Sequence, residues 1–224
     1  MVLQLAEAWD LWSDTYDSEP NPLLELEASS LREHLDQLEG CMVLDVACGT
    51  GRWAEYARSS GARVIAVDLS PGMLAKAAHR PALSGSLVRA DAGRLPIPDH
   101  SADIALCSFA ISYLPSLGAA ARELVRITRP GGRILVSDMH PAANHAGWKR
   151  SFRRSESTYE LEHGSYTTEQ LTKAFAGAGA SIDRTLELHF GDEQRETFLK
   201  AGKERAFADV CRIPAVWIGM WTKR

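Results

Sequence analysis

Asp45, Asp68 and Asp91 each stand at or just beyond the end of a short apolar run, in VLDVACGTG, VIAVD and VRAD. Between the first two lies Gly49-Thr50-Gly51-Arg52-Trp53-Ala54, which satisfies G-x-G-x-x-G/A, a turn whose backbone amides and following helix N-terminus receive a pyrophosphate. The carboxylates pull the other way. Asp68, at a strand end, can accept hydrogen bonds from vicinal ribose hydroxyls, which points to adenosine without choosing a cofactor. Asp45 and Asp91, aimed at the same cleft, repel a diphosphate unless a metal or an arginine intervenes, and favour a ligand carrying ammonium and sulfonium charges. No metal is expected, because neither H-x-x-x-H nor C-x-x-C occurs, and no G-x-S-x-G elbow marks a serine nucleophile.

These residues need a sheet to carry them. Apolar runs predict strands at 41–46, 62–68, 86–90, 102–108 and 132–137, with helices at about 51–60, 71–79 and 115–129 between them. Such alternation marks a parallel sheet covered on both faces, and its ligand sits beyond the carboxyl ends of the strands, where strand order reverses. The residues following the strands are then 47–52, Asp68, Asp91-Ala92, Ser108-Phe109 and 138–141. Gly131-Gly132, after Arg129-Pro130, predicts a sharp helix-to-strand turn, and Thr167-x-x-Gln170 a capping box for a helix ending near Gly177 and Gly179. Strands at 181–190 and 215–222 follow, around a charged helical segment at 192–208. Before residue 41, two helical segments, 3–16 with Leu5, Ala8, Trp9 and Trp12 on one face and 22–38 after Glu19-Pro20-Asn21-Pro22, form a cap over one edge of the sheet. The stretch 139–166 shows no periodic element and is read as a substrate lid or as hiding a short helix.

With 224 residues, 45% of them hydrophobic, the chain is expected to form one domain: a cap (1–40), a cofactor-binding core (41–138), the lid, and C-terminal strands and helices (167–224). A net charge of −4 disfavours nucleic acid and anionic membranes as main partners. No apolar run approaches a membrane span, and MVLQLAEAWDLW carries acidic residues where a signal peptide would be basic, so a cytoplasmic location is expected. Cys41, Cys48, Cys107 and Cys211 are scattered and read as reduced thiols packed in the core.

VLDVACGTG, VIAVDLSPGML, RADAGRLPIPDHSADIALCSFAISYL and LVRITRPGGRILVSD, in that order and spacing, resemble the successive motifs of class I S-adenosylmethionine-dependent methyltransferases. The likeness covers 41–138 and is to the subgroup acting on small molecules, which includes quinone-pathway C-methyltransferases. It implies an α/β, Rossmann-like, doubly wound sheet of seven strands, mostly parallel with an antiparallel last strand. It also implies that the turn through Ala47, Gly49, Thr50 and Gly51 lies against the methionine portion of the cofactor, with Asp45 at its amino end. Asp68 would hold the ribose hydroxyls, Leu69 and Met73 would flank the adenine, and Asp91 with the Ala92 amide would meet its edge. Ser108 would contact the amino-acid end, and Tyr16, in WSDTYDSEPNPLLELE, would belong to a helix folded over the cofactor. Two readings stay open beside these: Asp45 as a carboxylate satisfied by turn amides, and Tyr16 as an aromatic staple between cap and sheet. Ala47 departs from the commoner glycine, which is tolerable if its φ is negative. The competing functions are an NAD(P)-dependent oxidoreductase and a non-catalytic cofactor-binding homologue.

A sulfonium methyl is already activated, so alignment is the protein's minimum task, worth about 7–11 kcal/mol. A hydroxyl or carbon-acid acceptor also needs a base. His140, in SDMHP after the fifth strand, ranks first and His163 second, with His145 also in the lid; a histidine bonded to a loop carbonyl is the alternative. Tyr113 could position the acceptor or simply pack at a helix start. Trp148 and Phe152 offer the lid apolar area. The run Lys149-Arg150-Ser151-Phe152-Arg153-Arg154 reads either as a site for an acidic substrate or carrier phosphate, or as a solvated face balanced by Glu156, Glu160 and Glu162.

Overall fold

The computed structural model describes residues 5–18, 20–154, 156–161 and 163–224, so that residues 3–4 of the first expected helix, Glu19 of the expected break and Glu162 lie outside the described residues. Seven strands form one sheet: β1 (Met42–Val46), β2 (Arg63–Asp68), β3 (Leu87–Arg89), β4 (Ala102–Ser108), β5 (Thr128–Met139), β8 (Ala180–Leu188) and β9 (Val216–Lys223). Their order is β3-β2-β1-β4-β5-β9-β8, parallel except that β9 runs antiparallel to both its neighbours, which is the expected architecture.

Apolar side chains alternate between the two faces along each central strand. Val43, Ile104, Leu106 and Leu135 pack with α2 (Pro22–His34) and α3 (Arg52–Ser59) on one face. Leu44, Ala105, Cys107, Ile134 and Val136 pack with α5 (Leu117–Ile127) and α7 (Thr168–Ala178) on the other. A strand buried on both sides has no polar face to display, which is why these segments read as unbroken apolar runs. The strand order turns back between β1 and β4, so the crevice above their carboxyl ends is the natural ligand position of this topology.

Of the two N-terminal helices, α1 (Leu5–Trp12) lies over that crevice, where Trp9 lines it, while α2 covers the sheet face beside it. α1 docks on α4 (Pro71–Ala77) through Asp10, whose Oδ1 accepts from Ser70 Oγ at 2.5 Å and from the Gly72 amide at 2.9 Å. Gly72 is what lets the helices come so near, since a Cβ there would lie 2.7 Å from Ser13 Oγ.

Several boundaries differ from the sequence reading for identifiable reasons. β5 begins at Thr128 directly after α5, so Gly131-Gly132 lie within the strand, where the register with β4 shifts. The 192–208 segment is broken into short helical pieces, among them α8 (Arg195–Lys200) and the start of α9 (Phe207–Val210). The 139–166 stretch holds a short helix, α6 (Pro141–His145), and an unforeseen antiparallel hairpin, β6 (Arg150–Arg154) with β7 (Ser157–Leu161). The capping box forms as expected, with Thr167 and Gln170 bonding reciprocally.

Candidate active site

After β1 the chain turns through Ala47, Gly49 and Gly51, with φ of 57°, 55° and 83°. The negative φ expected at Ala47 is therefore corrected: alanine adopts glycine's left-handed conformation here, at a cost of about 1–2 kcal/mol. Gly51 serves packing, because a Cβ would strike Leu83 Cδ1 at 2.5 Å, whereas a Cβ at Gly49 would meet nothing within 4 Å. The turn is clamped by its surroundings. Thr50 Oγ1 donates to Asp17 at 2.9 Å, Arg80 Nε donates to the Thr50 carbonyl at 2.7 Å, and Arg80 pairs with Glu55.

Asp45 caps α3 from outside the helix. Gly51, the residue at the helix cap, has no side chain to do so, and Asp45 Oδ2 accepts from the Ala54 amide at 3.0 Å. Its other oxygen has no hydrogen-bond partner among the described residues, and the residue lines the cleft. Burial pushes the Asp45 carboxyl up to about 7, against the opposing pull of Arg52 and the Ala54 bond. Asp68 ties β2 to the glycine turn: Oδ2 accepts from the Gly49 amide and Oδ1 from the Ser70 amide, both at 2.8 Å. Burial raises its carboxyl as well, and each oxygen keeps a lone pair for a ligand. Asp91 is exposed and accepts from the Gly93 amide at 2.8 Å.

These elements enclose a cleft of about 310 Å³. Every residue expected at the cofactor lines it except Gly51: Tyr16, Asp45, Ala47, Gly49, Thr50, Asp68, Leu69, Met73, Asp91, Ala92 and Ser108. Leu69 leaves 47% of its surface exposed there, an apolar face with nothing of the protein over it. Trp9, Phe109 and Tyr113 close the other end, and Trp9 meets Tyr113 edge-on with centroids 5.0 Å apart. Phe109 holds φ at 50°, a strained conformation for an aromatic residue and characteristic of functional sites.

Sequence reasoning missed Glu27 and, although Arg52 falls in the expected 47–52 turn, the role Arg52 takes there. Glu27 reaches from α2 to the ends of β4 and β5, wholly buried. Its Oε1 accepts from Ser108 Oγ at 2.6 Å and from Ser137 Oγ, and its Oε2 from Arg52 Nη2 at 2.5 Å and Trp53 Nε1 at 3.2 Å. Four donors satisfy one carboxylate and hold Arg52, which lines the cleft and is 3.3 Å from Ser108 Oγ. The visible signal was a carboxylate at a helix position flanked by the buried Leu26 and Leu31.

The histidines divide by chemistry. His140 does not line the cleft: its Nδ1 accepts from the Ala142 amide at 3.0 Å, capping α6, and Nε2 lies 3.4 Å from Glu187. That leaves it no lone pair for a base. His163 does not line the cleft either, but its ring stands edge-on to Tyr113 at 5.5 Å, and its Nδ1 lies 2.9 Å from the Gly164 carbonyl. A carbonyl only accepts, so Nδ1 carries the proton and Nε2 the free lone pair. Tyr113 Oη is buried without a partner, and burial holds its hydroxyl neutral by pushing its pKa far up. His145 bonds the Pro141 carbonyl at an exposed position. Trp148 stacks on Phe190 and Phe152 on Trp12 and Tyr159, all away from the cleft lining. The basic run is mostly consumed internally, Lys149 pairing with Glu160 and Arg154 with Asp14, while Arg150 is buried. Among the described residues no three metal-ligating side chains cluster, and no helix is long and apolar enough to cross a membrane.

A cleft at the switch point of a β3-β2-β1-β4-β5-β9-β8 sheet, floored by a glycine turn and rimmed by carboxylates, defines a class of protein, and comparison with known proteins agrees. The methyltransferase-domain family matches residues 44–136. A malonyl-[acyl-carrier protein] O-methyltransferase of Pseudescherichia vulneris is 32% identical over 193 residues, 80% of this chain and 76% of that protein. Its counterpart in Yersinia pestis is 39% identical over 136 residues, 60% of this chain and 50% of that protein. A demethylmenaquinone methyltransferase of Corynebacterium urealyticum is 36% identical over 107 residues, 48% of this chain and 45% of that protein. The chain thus spans about half the length of several curated relatives it matches. An S-adenosylmethionine-dependent methyltransferase from Mesorhizobium loti shares the fold, with a TM-score of 0.70, 22% identity and coverage of 88% of this chain and 98% of that one. This chain belongs to the class I S-adenosylmethionine-dependent methyltransferases.

Proposed function

We propose that this protein binds S-adenosylmethionine in the cleft and transfers its methyl group to a small-molecule acceptor held against Trp9, Phe109 and Tyr113. The observation carrying the reading is the charge of the cleft: Asp45, Asp68 and Asp91 converge on it, and Asp45 already occupies the α3 amide that a pyrophosphate would need. That favours an ammonium and a sulfonium over the diphosphate of a nicotinamide cofactor.

The residues fit such a ligand. Asp45 offers its unpartnered oxygen to an ammonium, Arg52 its guanidinium to a carboxylate, and Asp68 two oxygens to ribose hydroxyls. Leu69 and Met73 supply the apolar faces an adenine requires, with Asp91 and the Ala92 amide at its edge. Bound there, the cofactor supplies an activated methyl that a nucleophile takes by in-line displacement. The chain's own contribution is alignment and exclusion of water, performed by α1 and the aromatic residues it carries over the cleft. Tyr113, neutral and with an unspent hydroxyl, orients the acceptor. His163, whose ring stands edge-on to Tyr113 just outside the cleft lining and whose Nε2 is free, is the candidate base for an acceptor that must lose a proton, and His140 is excluded from that role by its bonds.

Methyl-labelled S-adenosylmethionine, incubated with the protein and a metabolite extract, tests this. Label appearing in a small molecule is expected; label retained wholly in the donor, with the protein folded, contradicts it and favours a non-catalytic homologue.

A further inference from the structure

Arg150 belongs to the basic run that the sequence offers either as a site for an acidic substrate or carrier phosphate or as a solvated face, and it is only 5% exposed. It enters from β6 and lies among aromatic rings, its guanidinium carbon 5.1 Å from the Phe109 centroid, 5.5 Å from Trp12, 5.8 Å from Tyr113 and 5.9 Å from Trp9. Three of those rings, Phe109, Tyr113 and Trp9, also line the cleft, so the cation stands directly behind the cleft wall.

A buried guanidinium ordinarily has a carboxylate partner, because removing the charge from water costs several kcal/mol. Among the described residues Arg150 has none within 4 Å. The nearest carboxylate influence is Asp138, whose oxygens accept from the Ser112 and Met139 amides. One Arg150 nitrogen reaches the Phe109 carbonyl at 3.5 Å, the outer limit of a hydrogen bond, and the Tyr16 hydroxyl, a neutral acceptor on the cleft wall, stands beside the guanidinium. Stacking on rings returns part of the cost but satisfies none of the five N–H donors. Independently, Tyr113 Oη is buried and without a partner on the same wall.

We propose that Arg150 and the Tyr113 hydroxyl form a subsite for a carboxylate carried by the methyl acceptor, whose apolar body lies against Trp9 and Phe109. A planar carboxylate matches the guanidinium fork, and one cation with one hydroxyl balances a monoanion, whereas a phosphate dianion would leave net negative charge beside an acidic cleft. Arg150 is in this account a specificity-determining residue. The proposal rests on the cleft's being the methyl-transfer site.

Calorimetric titration of the full chain, with and without saturating S-adenosylhomocysteine, with benzoate, cinnamate and hexanoate against their primary amides tests it. At least one acid should bind tenfold or more tightly than its amide. Arg150→Met should abolish that preference, Arg150→Lys should reduce it by losing the fork, and Tyr113→Phe, a change that keeps the packing, should weaken the acid severalfold and the amide less. Acid and amide binding alike, neither binding, or a preference that survives the Arg150 and Tyr113 variants overturns the subsite. Homocysteine-ligand binding without any acid preference discards the subsite and keeps the donor site; the converse result keeps the subsite and discards the donor site.

Discussion

Cofactor affinity should depend on pH through Asp45. The carboxyl is held up to about 7 by burial in the free protein, so below neutrality it is protonated and its unpartnered oxygen cannot pair with an ammonium. An ammonium seated against it favours the carboxylate and drives the proton off, so binding and deprotonation are linked. The sign follows: affinity is full above about pH 7 and falls about tenfold for each pH unit below it, for as long as the bound-state value lies lower still. From pH 8 to pH 5 that amounts to a loss of roughly a hundredfold in the affinity for S-adenosylhomocysteine, which has the same amino-acid end. Calorimetry at pH 5, 6, 7 and 8, in two buffers of different ionisation enthalpy, reads both the affinity and the protons released. Asp45→Asn keeps an acceptor for the Ala54 amide and removes the titration, so its affinity should be weaker at pH 8 and nearly independent of pH. A flat profile for the native protein, or the native slope retained in Asp45→Asn, refutes the reasoning. The same raised value acts on stability in the opposite direction. The folded state holds the proton that the unfolded chain releases near pH 4, so this group's contribution to stability declines as pH rises from about 4 to 7.

Ala47→Gly relieves the left-handed strain and, after the added freedom of the unfolded chain, should raise stability by up to about 1 kcal/mol; a lowered melting temperature contradicts the backbone assignment. Glu27→Ala strands the Arg52 cation and three other donors and should cost about 3–5 kcal/mol in urea denaturation, so a loss below 1 kcal/mol means that the hub is not formed. His140→Ala removes a helix cap and should lower stability by about 0.5–2 kcal/mol with methyl transfer unchanged, while a large loss of rate at full stability would reinstate it as the base.

The central sheet was legible because its strands are buried on both faces: β4 spans Ala102–Ser108, the same bounds its apolar run predicts. The carboxylates at the strand ends were legible for the same reason, since an apolar run that stops at Asp45 or Asp68 declares where the polar edge begins. The β6–β7 hairpin was not. Its buried side chains are Arg150, Phe152 and Leu161, and one of the three is a cation inside a basic run, so the period of two was hidden by charge. Glu27 was hidden in the same manner, a carboxylate on the inner face of a helix whose burial is explained only by donors from α3, β4 and β5, far away in the chain. His140 was misjudged because position after a strand indicates where a side chain begins, whereas the Ala142 amide and Glu187 decide where it is bound.

The account stands most directly on which cofactor the acidic cleft accepts. Titration of the purified chain at pH 8 with S-adenosylhomocysteine and, separately, with NADH should give one-to-one binding of the first and none of the second; NADH binding with no S-adenosylhomocysteine binding would contradict it.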